Sequence, residues 1–162
     1  MINLEPSIRI QEKLKNIFLT VATSILFCSI SLTLLKYFGG DYYNYWNPDN
    51  YSNAKHIITF TGITSACIIA PLWEECLWRY CTFEITRKMF LNFKEFQIPF
   101  IVLTGILFGY WHEGVSTVFV QGISGILFGF LYVKNGFSYW STVAAHSLYN
   151  LSVMVILPNF IH

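Results

Sequence analysis

The chain has 162 residues, of which 54% are hydrophobic, 19% aromatic and only 12% charged. A charged share about half that of an ordinary soluble domain predicts a membrane protein. Ten Lys and Arg against nine Asp and Glu leave a net charge of +1, so the basic surface that a nucleic-acid partner needs is missing and none is expected.

Arg9, Lys13 and Lys15 precede the first apolar run, Ile17 to Leu35. That run is longer than the apolar part of a signal peptide and no small-residue cleavage site follows it, so it is predicted to stay as a span. The loop from Asp41 to Tyr51 is rich in Tyr and Trp, which suits a membrane interface. Further apolar segments run from Ile57 to Phe83, Ile98 to Trp111, Val115 to Val133 and Tyr139 to Pro158. The expected fold is therefore all-α, a polytopic membrane helix bundle with about five transmembrane helices. The third span is short. Residues 1–56 form an N-terminal segment with one span and the aromatic loop, and residues 57–162 form the core.

Basic residues before the first span, after the second (Arg87, Lys88, Lys94) and at the turn "KNG" after the fourth (Lys134) predict a cytoplasmic N-terminus and an outside C-terminus. An apolar chain of this kind, with no eukaryotic targeting signal, fits a bacterial cytoplasmic membrane. Gly105 with Gly109 and Gly125 with Gly129 are spaced to let helices approach closely, most simply within the monomer. Cys28, Cys67, Cys76 and Cys81 lie in apolar segments without the paired spacing of a zinc ribbon or a disulfide framework, and they are read as small, reduced, buried side chains.

A carboxylate or imidazole inside the hydrocarbon layer needs a partner or a function. The residues in question are Glu74, Glu75, Arg79, Glu84, His112, Glu113, His146 and Asn150. Glu75 and Arg79, four apart, share one helix face with the acid placed first, the better order for an ion pair, and Glu84 with Lys88 repeats that spacing near the basic loop. Glu74 points about 100° away from Glu75 on an α-helix and has no basic residue three or four positions away. An unpaired carboxylate there is either protonated or held by another helix, and both conditions suit a general base or a metal ligand. His112, with Phe108 one turn before it, and His146 with Asn150 one turn after it are the candidate groups from other spans. Glu113 precedes a glycine and reads as an interfacial residue at a helix end.

These residues form three motifs in order: "EECLWR", "FGYWH" and "HSLYN". They resemble the EExxxR, FxxxH and HxxxN motifs of the CAAX protease and bacteriocin-processing (CPBP, or Abi) family of intramembrane endopeptidases. The resemblance covers residues 57–158. It implies a helix bundle around a polar cavity and a peptide or protein substrate, such as a bacteriocin, a signal peptide or a prenylated CAAX-type protein, met among membrane lipids. By position, Glu74 with His112 would activate water, His146 and Asn150 would stabilise the oxyanion, and Glu75, Arg79 and Phe108 would support the site. Trp78 stands where many members carry phenylalanine, and the chain is shorter than many relatives.

No cofactor is expected. Glu74, His112 and His146 are also the donor types of a catalytic zinc site, but the HExxH pattern is absent: Glu113 and Gly114 follow His112, and Ser116 stands where the second histidine would be. Two other classes use similar residues. A membrane immunity or scaffold protein needs the cavity but no base, and a small transporter is opposed by the lack of inverted repeats. Depth poses a geometric condition. Counted at 1.5 Å per residue, Glu74 lies about 26 Å from Ile57 and His112 about 21 Å from Ile98. A straight antiparallel pair would keep them apart, so a shared site needs a long tilted second helix or a displaced third.

Overall fold

The computed structural model describes residues 9–38, 59–113 and 116–160. The aromatic loop from Asp41 to Tyr51 lies outside the described residues, as do the side chain of Glu113 and the C-terminal residues 161–162. Among the described residues there is no strand, and the chain forms five helical rods.

The first rod, α1 (Ile10–Phe38), carries Ile10–Leu34, the one described helix long and apolar enough to cross a membrane by length and composition. The second runs unbroken over residues 60–89 and alternates in type. Short α-helical pieces α2 (Phe60–Thr64), α3 (Ala70–Glu75) and α4 (Thr82–Met89) are joined by π-helical segments Ser65–Ile69 and Cys76–Cys81. Each π segment spreads the backbone ladder from i→i−4 to i→i−5 and resets which way the following side chains face, a feature frequent at functional sites. Thus α3, which carries both glutamates, sits between two such resets.

The third rod, α5 (Phe93–Glu113), bends at Phe96, whose φ of −112° and ψ of 15° are not helical. Pro99 follows in the first turn after the bend, where its missing N–H costs no hydrogen bond. A 3₁₀ turn, Ser116–Val118, leads to α6 (Gln121–Lys134), and α7 (Tyr139–Phe160) closes the bundle. Several expected boundaries are corrected here. The second rod extends to Met89 because "TFEITRKM" is amphipathic rather than apolar, and a hydropathy reading stops at Phe83. The third rod is not short, having 21 residues, and the fourth begins at Gln121 rather than Val115.

The glycine pairs do bring rods together. A Cβ added to Gly109 of α5 would lie 2.7 Å from the backbone N of Gly122 in α6, so only glycine permits that approach. Gly125 and Gly129 likewise face Phe108 and Ile101 of α5. The turn after α6 closes on Gly136 (φ 70°) and Phe137 (φ 58°), both in the left-handed region. Phe137 N–H reaches back to Tyr132 O at 2.7 Å, a helix-ending hydrogen bond. Asn135, fully buried in that turn, accepts a hydrogen bond from Asn16 Nδ2 at 2.7 Å and so fastens α1 to the bundle. Higher up, Ser31 Oγ donates to Phe119 O at 2.8 Å, while Ile17, Val21 and Cys28 pack into one core with Phe128, Ala145 and Tyr149.

Candidate active site

The two glutamates of α3 reach one imidazole from opposite sides. Glu75 Oε1 lies 2.8 Å from His146 Nδ1 and 3.2 Å from Arg79 Nη1, and both the glutamate and the arginine are buried (0% and 2% exposed). Arg79 Nη2 donates to Gly125 O at 2.7 Å, and its guanidinium lies 4.7 Å from the centre of the Phe108 ring. This buried charge is therefore paired, hydrogen-bonded and covered, the conditions under which it is tolerable. Glu84, by contrast with expectation, pairs with Arg87 at 2.9 Å rather than with Lys88. The partner is three residues on instead of four, and that guanidinium also covers the Phe137 ring at 4.4 Å.

Glu74 turns instead into a cavity of about 240 Å³ shared by α1, α3, α5, α6 and α7. Its Oε2 lies 3.7 Å from His112 Nε2 and 3.7 Å from His146 Nε2, too far for a hydrogen bond in either case. Oε2 has no hydrogen-bond partner among the described residues. His112 Nδ1 lies 2.9 Å from the carbonyl oxygen of Phe108. A carbonyl only accepts, so Nδ1 carries the proton, and in the neutral ring Nε2, on the Glu74 side, is the basic nitrogen. Phe108 serves two rings: it meets His112 edge-on at 4.6 Å and His146 at 5.9 Å. Phe128 stacks on His146 at 5.0 Å. Trp78 packs edge-on against both Phe108 and Trp111 at 6.1 Å, so the larger ring fits this wall.

The depth condition is met by the longer second rod. From residue 74 to Met89 the rod descends about 22 Å, and from the bend at Phe96 to His112 the next one rises about 24 Å. The two side chains come level once the second rod is counted to its true end and the third from its bend.

Asn150 lines the same cavity, but its Nδ2 donates to Ala66 O at 2.8 Å. Ala66 lies in the first π segment, so Asn150 ties α7 to the second rod, a bond that spacing along α7 gave no sign of. One amide N–H of the two remains beyond that bond. Contributors that were not expected include Cys28 and Leu32 of α1, which line the cavity, and Gln121 at the start of α6. A fourth-rod polar residue next to a glycine was the available signal for Gln121. Among the described residues, no group of three or more His, Cys, Asp or Glu is arranged to hold a metal ion.

The sequence model of the family described as type II CAAX prenyl endopeptidase Rce1-like matches residues 55–152, which include every residue placed above except those of α1. The chain belongs to the Rce1-like family. This membership agrees with the CPBP resemblance carried by the three motifs. A search of curated proteins found no match, and a search of solved structures found none either. The Rce1-like match also takes in both π segments and the 3₁₀ turn before α6, so it spans the irregular backbone that shapes the cavity.

Proposed function

We propose that this Rce1-like chain is an intramembrane endopeptidase that hydrolyses a peptide bond with water activated by Glu74 and His112. The observation that carries the reading is the position of Glu74 Oε2, 3.7 Å from two imidazole nitrogens at the cavity wall and without a hydrogen-bond partner among the described residues. Large apolar side chains exposed along every rod, including Leu26 and Ile30 on α1, Trp73 on α3, Leu103 on α5 and Leu151 on α7, support a bundle surrounded by lipid.

In the mechanism, Glu74, assisted by His112, takes the water proton as oxygen attacks the substrate carbonyl. The carbonyl oxygen becomes an oxyanion beside His146 and Asn150. Glu75 accepts a hydrogen bond from His146 Nδ1–H and fixes that ring, and when the ring carries a second proton its Nε2–H is a donor to the oxyanion. The second donor is the Asn150 N–H that Ala66 does not use. Collapse breaks the C–N bond, and the proton held by Glu74 passes to the leaving amine. No covalent intermediate forms and no step runs through a metal, so a chelator leaves the rate unchanged.

The substrate is a peptide or protein segment that reaches the cavity from the membrane. The chain, reconstituted in lipid nanodiscs, is to be given a fluorogenic CAAX peptide with and without a farnesyl group. Cleavage of at least one by wild type and of neither by Glu74→Gln is expected. Failure of wild type on both contradicts the CAAX-type substrate class, and equal cleavage by Glu74→Gln contradicts the mechanism.

A further inference from the structure

Two buried polar atoms of cavity-lining residues have no hydrogen-bond partner among the described residues: Glu74 Oε2 and Gln121 Oε1. Both are acceptors. Glu74 has a place in the reaction, and Gln121 has none so far. Gln121, Ser124 and Phe128 fall at i, i+3 and i+7 on α6, the spacing of one helix face, and all three line the cavity. The other two are engaged: Ser124 Oγ donates to Val120 O at 3.0 Å, and Phe128 stacks on His146. On this face of α6, the Gln121 carboxamide is thus the polar group left for a ligand.

An acceptor buried without a donor is costly, and the cost is recovered when a ligand supplies the donor. A peptide entering a water-poor site has the complementary problem, because each main-chain N–H it brings loses its hydrogen bond to water. We propose that Gln121 is a substrate-binding residue of this site, its Oε1 accepting a main-chain N–H of the peptide beside the bond that is cut. The substrate class follows: an extended segment with a secondary amide near the scissile bond, held by its backbone rather than by one particular side chain. Specificity then comes from the apolar part of the same wall, where Cys28 and Leu32 of α1 stand outside the matched family region.

This inference rests on the endopeptidase reading, and the test separates the two. Cells making wild type, Glu74→Gln and Gln121→Met at matched levels are compared for released peptides. A synthetic peptide spanning the cleavage site of the product lost in Glu74→Gln is then prepared with single N–H groups flanking the scissile bond replaced by ester oxygen. With purified wild type, one ester analogue is expected to lose about tenfold in kcat/KM, mostly through KM, the effect of one neutral hydrogen bond in a buried site. Gln121→Met is expected to cut the parent peptide about tenfold less well and to lose nothing further on that analogue. If wild type cuts every ester analogue like the parent, no main-chain N–H is bound and the proposal falls, whatever the variant does. Equal penalties in wild type and variant also overturn it, because the N–H is then bound elsewhere. A product unchanged by Glu74→Gln removes the endopeptidase reading, and this inference with it.

Discussion

Glu74 and Glu75 are adjacent in the chain and end in opposite surroundings. Glu75 is sealed in protein, where Arg79 and His146 take up its charge. Glu74 stands at a cavity wall, near two imidazoles and bonded to neither. The same side chain is held by a buried arginine and an imidazole at one position and stops short of both imidazoles at the next. His146 joins the two regions, with one ring nitrogen in each.

Four changes test this contrast, in descending order of effect. Glu74→Gln keeps the side-chain volume and removes the base, so cleavage should fall by about 10²–10⁴-fold, the usual contribution of general acid–base catalysis. Its melting temperature should stay at the wild-type value, measured by thermal unfolding in detergent. Arg79→Met leaves Glu75 buried without its cation and should cost about 3–5 kcal/mol of stability. Adding Glu75→Gln to that variant removes the stranded charge and should recover part of the loss, which a double-mutant cycle by chemical denaturation reads directly.

A smaller loss is expected on the cavity side from Gly109→Ala. The new methyl would press on Gly122 and force α5 from α6, costing about 1–3 kcal/mol as overpacking. Because His112 lies one turn further along α5, cleavage should drop along with stability. Asn16→Ala is the mildest change. It takes away the partner of buried Asn135 far from the cavity and should lower stability by about 1 kcal/mol with cleavage unchanged. Parallel assays of melting and peptide release on both variants check these two outcomes.

Much of the site was legible because its logic is local. The Glu75–Arg79 pair, the Phe108–His112 contact and the glycine approaches all follow from helical spacing, and the structure shows each of them. The turn after α6 was marked by its glycine. What spacing could not give depends on other parts of the chain. In the first π segment the carbonyl of Ala66 is taken up by Asn150, 84 residues away in sequence. The end of the second rod was hidden because α4 is amphipathic, and the depth mismatch between Glu74 and His112 came from that boundary together with the unread start and bend of the third rod. Gln121 escaped notice because a single amide is ordinary in sequence, and its meaning comes from the buried, unpartnered oxygen. The contribution of α1 could not be read at all, since Cys28 and Leu32 look like any other apolar span residues until the rods are assembled.

The division of labour between the two glutamates is tested most directly by measuring released peptides and melting temperature on the same membranes for wild type, Glu74→Gln and Glu75→Gln. The account predicts that Glu74→Gln releases no product and melts like wild type, whereas Glu75→Gln melts lower and still releases product below its melting temperature. Product from Glu74→Gln at the wild-type level, or complete loss in a Glu75→Gln that melts like wild type, would contradict it.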